Sequence, residues 1–112
     1  MVGLIEDKGV PLVCCGEKMA ELVANTTEAS VEKHIPVATI SGDTVSVQVG
    51  SALHPMEDAH YIAFVYVETE NGGQRKCLNV GKDPVVSFAF ADDKPVAVYA
   101  YCNLHGLWKA DI

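Results

Sequence analysis

At 112 residues the chain has the size of one domain, and 49% hydrophobic with 21% charged residues excludes a disordered polymer. A formal charge of −7 and a pI near 4.8 leave no basic stripe to neutralise phosphates, which argues against nucleic acid and against an anionic membrane surface. No stretch approaches the roughly 20 apolar residues of a membrane span, and residues 1–15 carry acids and no apolar signal core, so a cytoplasmic location is expected and Cys14, Cys15, Cys77 and Cys102 are read as thiols.

Residues 1–9 form a polar lead-in. Val10 to Cys14 is a short apolar run, read as an edge strand because Pro11 cannot donate to a ladder, and Cys15-Gly16 turns the chain. Lys18 to Ala24 has the spacing for one or two helical turns with Met19, Leu22 and Val23 facing inward. After the polar connection Asn25 to Ser30 comes Glu32-Lys33-His34-Ile35-Pro36. The proline pushes Ile35, and with it His34, towards extended geometry. The extended run continues to Ser41, and Gly42-Asp43 turns it. Val45, Val47 and Val49 then alternate with Thr44, Ser46 and Gln48, the signature of a half-buried strand.

His54 to His60 is a compact loop. Tyr61 to Val67 is largely apolar on both faces, which predicts a central strand. Asn71-Gly72-Gly73 signals a hairpin with a return limb from Gln74 to Val80. Val86, Phe88 and Phe90 share one face of the next strand, Asp92-Asp93 is read as a hairpin tip, and Val96 to Cys102 as the last strand. About seven short strands with turn signals at regular intervals predict an all-β antiparallel sandwich or barrel.

The chemistry concentrates at the strand ends. Cys102 and His105 place a soft sulfur and an imidazole three positions apart, at the end of a strand and before a glycine turn. The other histidines, His34, His54 and His60, also sit at strand boundaries or in turns, and a sandwich gathers its end loops together. Each alone reads as a solvated loop residue; together they read as one shared metal site. Five nitrogen and sulfur donors exceed a closed tetrahedral zinc set and do not suit calcium or magnesium. They suit iron with an open sixth position, with copper as the rival.

The motifs Glu32-Lys33-His34-Ile35-Pro36, His54-Pro55-Met56 with His60-Tyr61-Ile62, and Cys102-Asn103-Leu104-His105-Gly106-Leu107-Trp108-Lys109 resemble superoxide reductase, the neelaredoxin and desulfoferrodoxin family, in order and spacing over roughly residues 14–109. That resemblance implies an immunoglobulin-like antiparallel β-sandwich and one iron ion per chain. It implies His34, His54, His60 and His105 as equatorial ligands and Cys102 as the axial thiolate. The implied reaction is one-electron reduction of superoxide to hydrogen peroxide. Lys33 would add positive potential for the anion, and Glu32 resembles the family's glutamate that binds oxidised iron. Rubredoxin is the implied electron donor, and a homo-oligomer, dimer or tetramer, the implied assembly.

Two-iron members of that family carry an N-terminal iron held by four cysteines, the last two in a Cys-Cys-Gly pair. Here Cys14-Cys15-Gly16 stands without a preceding Cys-x-x-Cys, so residues 1–112 are expected to form one domain in which 1–30 is a degenerate segment without the rubredoxin-like iron. Two other functions compete: a copper or iron electron carrier with no substrate position, and a sandwich stabilised by structural zinc.

Overall fold

The computed structural model describes residues 1–112. Alternating valines build its centre. Strand β4 (Thr44–Val49) turns Val45, Val47 and Val49 inward, and β7 (Val85–Ala89) adds Phe88 beside them. With β3 (Pro36–Ser41) these form a three-stranded antiparallel sheet in the order β3-β4-β7. The second sheet contains β5 (Ile62–Thr69), β6 (Gly72–Cys77), β8 (Pro95–Cys102) and β9 (Gly106–Asp111), in the order β6-β5-β8-β9. Ile62, Val65 and Val67 of β5 and Val98, Ala100 and Cys102 of β8 join the valines of β4 in one buried cluster, so the two sheets share a core. The seven strands are all antiparallel, as an immunoglobulin-like sandwich requires.

β5 lies between β6 and β8, the central position expected of a strand apolar on both faces. A register shift between Ile62 and Phe64 lets Ile62 face the core together with Val65, although three positions separate them. The other face of the sheet carries Phe64 stacked on Tyr101 at 5.7 Å and Tyr66 beside Tyr99 at 6.1 Å.

Several expectations are corrected. Of the run from Val10 to Cys14 only β1 (Val13–Cys14) is strand, paired with β2 (Glu17–Lys18) across Cys15 and Gly16. Lys18 to Ala24 forms no helix, and Leu22 and Val23 are exposed: nothing apolar faces them to reward the cost of nucleating a short helix. His34 is helical, the last residue of α1 (Val31–His34), and the proline acts only on Ile35, which is extended at φ −66°, ψ 120°. The β5–β6 turn is made by Glu70-Asn71, with Gly72 and Gly73 already in β6. A side chain at Gly73 would strike the Tyr66 ring, so that glycine serves packing. Asp92-Asp93 is no hairpin tip, because β7 and β8 lie in different sheets. Cys102 does not end the last strand; β9 follows it.

The antiparallel order brings five strand ends to one end of the sandwich. Pro36 at the start of β3 pairs with Val49 at the end of β4, and Ile62 at the start of β5 pairs with Cys102, which pairs with Gly106. The segments issuing there are α1, the 50–61 crossover and the 103–105 turn, and these hold all four histidines.

Candidate metal centre

α1 is too short to hold itself and is docked by backbone bonds. Gly50 N–H donates to Ile35 O (3.2 Å) and Ala52 N–H to Glu32 O (3.0 Å), while the Ser51 hydroxyl donates to the same oxygen (3.2 Å). Gly50 has φ +85°, and a Cβ there would collide with the carbonyls of Ala52 and Lys33. This close approach seats His34 beneath the sheet end, where only 2% of its surface is exposed. Its Nδ1–H donates to Ser30 O at 2.7 Å, leaving the Nε2 lone pair directed inward.

His54 is fixed in the same way. Its Nδ1–H donates to Pro55 O at 2.7 Å, and the ring is equally buried. The loop then closes through reciprocal backbone bonds between Glu57 and His60 (2.9 and 3.1 Å) and through Ile62 N–H donating to the Met56 sulfur (3.3 Å). Cys102 is fully buried at the end of β8, and the turn returns His105 to it, with Sγ 3.8 Å from His105 Nδ1.

The four rings form a closed square. Neighbouring centroids lie 4.7 Å apart for His34–His54, 4.5 Å for His54–His60, 5.1 Å for His60–His105 and 4.9 Å for His105–His34, each pair meeting edge to face. The diagonal His34–His60 is 6.2 Å. Donor atoms of His34, His60, Cys102 and His105 lie within 4.8 Å of one another. His54 stands outside that set, across the square from His105, but its Nε2 is 3.2 Å from His34 Nε2.

This arrangement fits a bound cation. His34 and His54 have committed their protons to backbone carbonyls, so two lone pairs confront each other at 3.2 Å with no proton between them. His105 Nδ1 also approaches His34 Nε2, at 3.1 Å, and His60 Nε2 is buried without a partner. A positive ion satisfies all of these atoms at once. Protonation does not. Burial, before the mutual repulsion of the rings, lowers the pKa of His34 and His60 below the usual value and takes that of His54 to about 4. Near neutral pH His34, His54 and His60 therefore present neutral imidazoles as ligands.

The family model described as desulfoferrodoxin matches residues 26–111. The chain belongs to the desulfoferrodoxin family. A desulfoferrodoxin of Clostridium acetobutylicum is 41% identical over 109 residues, covering 97% of this chain and 86% of that protein. A desulfoferrodoxin homolog of Archaeoglobus fulgidus is 43% identical over 99 residues, covering 88% and 78%. The crystal structure of a superoxide reductase from Treponema pallidum superposes with a TM-score of 0.87 at 41% identity, covering 96% of this chain and 90% of that one.

In this desulfoferrodoxin chain Glu32 and Lys33 both lie on α1 and are exposed. The charge of Lys33 is felt at His34 and at His60, where it adds to burial in disfavouring the imidazolium. Trp108 contributes what the motif alone does not reveal. Its ring stacks on His34 at 4.8 Å, and its Nε1–H donates to His105 O at 3.1 Å. The carbonyls of Ser30 and Pro55 orient two rings and leave no trace in residue identity. Cys14, Cys15 and Cys77 are exposed and take no part in the square, although the Cys14 and Cys15 sulfurs approach to 3.1 Å.

Proposed function

We propose that the protein is a superoxide reductase, with His34, His54, His60, His105 and Cys102 holding one non-haem iron ion. The observation that supports this most strongly is the closed square of four imidazoles beside a buried thiol. The named superoxide reductases among its relatives favour the enzyme over a pure electron carrier. The net reaction joins one superoxide, one electron and two protons into hydrogen peroxide. Iron bound in the square supplies that electron.

The chain's own residues do the rest. Neutral imidazoles leave the charge of the bound cation intact, and the Cys102 thiolate cancels only part of it, so the site stays attractive to an anion. Lys33 adds positive potential beside His34 and His60 in a chain whose net charge is −7, which would otherwise repel superoxide. Glu32, one residue along α1, offers a carboxylate that can take the substrate position once product has left. The buried Cys102 sulfur would donate electron density to a metal held there.

Within the single domain we read in residues 1–112, the hairpin of segment 1–30 presents two thiols, Cys14 and Cys15, where a tetrahedral sulfur site needs four. Rubredoxin-type electron donation and a dimeric or tetrameric assembly belong to the same reading. No helix is long and apolar enough to cross a membrane. Metal analysis tests the assignment. One iron per chain, lost together with superoxide consumption in His34→Ala, is expected; zinc at full occupancy in active protein would overturn it.

A further inference from the structure

Two of the four imidazoles are oriented by hydrogen bonds from their own rings to backbone carbonyls, and His60 is not one of them. His34 and His54 are held by carbonyls on Nδ1, and His105 has its carbonyl gripped by Trp108. The His60 ring has no hydrogen-bonding partner at all; its Nε2 is buried and unpaired. The backbone of His60 is tied only to Glu57 of the same loop, at 2.9 and 3.1 Å, so the place of the ring depends on what ties that loop to the rest of the site.

Asn103 lies between the thiol and the turn that carries His105. Its Oδ1 accepts the N–H of Tyr61 at 2.8 Å, and its Nδ2 donates to Ala59 O at 3.0 Å. Its backbone N–H also donates to Tyr61 O at 3.2 Å. The residues gripped are those immediately before and after His60. We propose that Asn103 is a positioning residue: a clamp that fixes the backbone on both sides of His60 to the segment Cys102–His105, and so sets the place of this one ligand relative to the other four. The inference rests on the reading of His60 as a metal ligand. An amide suits the task because it accepts on one side and donates on the other, which a carboxylate cannot do. Supporting groups of this kind typically tune metal affinity by about 10–100-fold.

Asn25 provides a matched control. It too makes two side-chain bonds to one stretch of backbone, donating to Lys109 O (3.1 Å) and accepting Lys109 N–H (2.8 Å), on β9, a strand that carries none of the five donors. The experiment compares iron-loaded wild type with Asn103→Ala, Asn25→Ala, His60→Ala and the double variant Asn103→Ala/His60→Ala, by chelator competition for iron and by the thiolate-to-iron absorption of the oxidised protein. Asn103→Ala is expected to lower iron affinity about 10-fold or more and to shift the absorption maximum, while Asn25→Ala matches wild type in both. In the His60→Ala background removing Asn103 should cost nothing further. If His60→Ala leaves iron affinity unchanged, the ligand assignment of His60 fails. If His60→Ala weakens binding but Asn103→Ala behaves like Asn25→Ala, or costs as much with His60 absent as with it present, the clamp is overturned. Should Asn103→Ala not fold, Asn103→Asp, which keeps the acceptor for Tyr61 and loses the donor to Ala59, takes its place under the same criteria.

Discussion

At the scale of single residues, the site divides into groups that residue identity announces and groups that it does not. The five donors suggested a metal only jointly, because all four histidines fall at strand boundaries beside a Cys-x-x-His, while each histidine alone reads as a solvated loop residue. The carbonyls of Ser30 and Pro55 were illegible, since every residue carries a carbonyl and only the fold decides which two face an Nδ1–H. Trp108 was visible within its motif, yet its stacking on His34 depends on β9 folding back beside α1. Two predictions belong here. Lys33→Ala should slow superoxide capture several-fold and flatten its salt dependence while iron stays bound, because the positive charge felt at His34 and His60 is gone. Pulse radiolysis over a salt series measures this, and an unchanged second-order rate would refute the steering role. Cys102→Ser should remove the thiolate-to-iron absorption of the oxidised protein; a persisting band would assign the sulfur elsewhere.

At the scale of elements, strands with a period-two pattern were read correctly where burial is one-sided. β4 is the clearest case, with Val45, Val47 and Val49 all inward. Elements governed by long-range contacts were misread. α1 forms in spite of the following proline because Gly50, Ser51 and Ala52 dock it from the far end of β4, a contact that propensity cannot register. Asp92-Asp93 has hairpin composition but joins two sheets, and Asp93 instead accepts bonds from Thr69 and Asn71. Gly50→Ala tests the docking of α1. The substitution adds the left-handed penalty of about 1–2 kcal/mol to a direct clash with the Ala52 and Lys33 carbonyls. It should lower the melting temperature by several degrees and weaken iron binding together, because the shifted helix carries His34. A thermal melt with chelator competition checks both, and loss of stability with full iron affinity would separate the helix from the site.

At the scale of the whole molecule, the square of imidazoles is a liability without its ion. Burial lowers the folded pKa of His34, His54 and His60, that of His54 to about 4 from 6.5. Below pH 6.5 the unfolded chain therefore binds more protons than the folded one. The metal-free protein should keep its full stability above that pH and lose it progressively as the pH falls towards 4. Urea titrations across this range test the sign; stability that rises on acidification would contradict it. The sandwich itself was legible in outline from turn signals and apolar alternation, although the Val10–Cys14 run was counted as one of its strands and β9 was missed. The partition into sheets of three and four was not, since it depends on which edges meet.

The central claim is that this end of the sandwich reduces superoxide without returning oxygen. It is tested most directly by measuring the products when reduced, iron-loaded protein meets a substoichiometric pulse of superoxide. One hydrogen peroxide per superoxide and no oxygen is the predicted result. Half an equivalent of peroxide accompanied by oxygen, or no peroxide beyond that of the buffer alone, would contradict it.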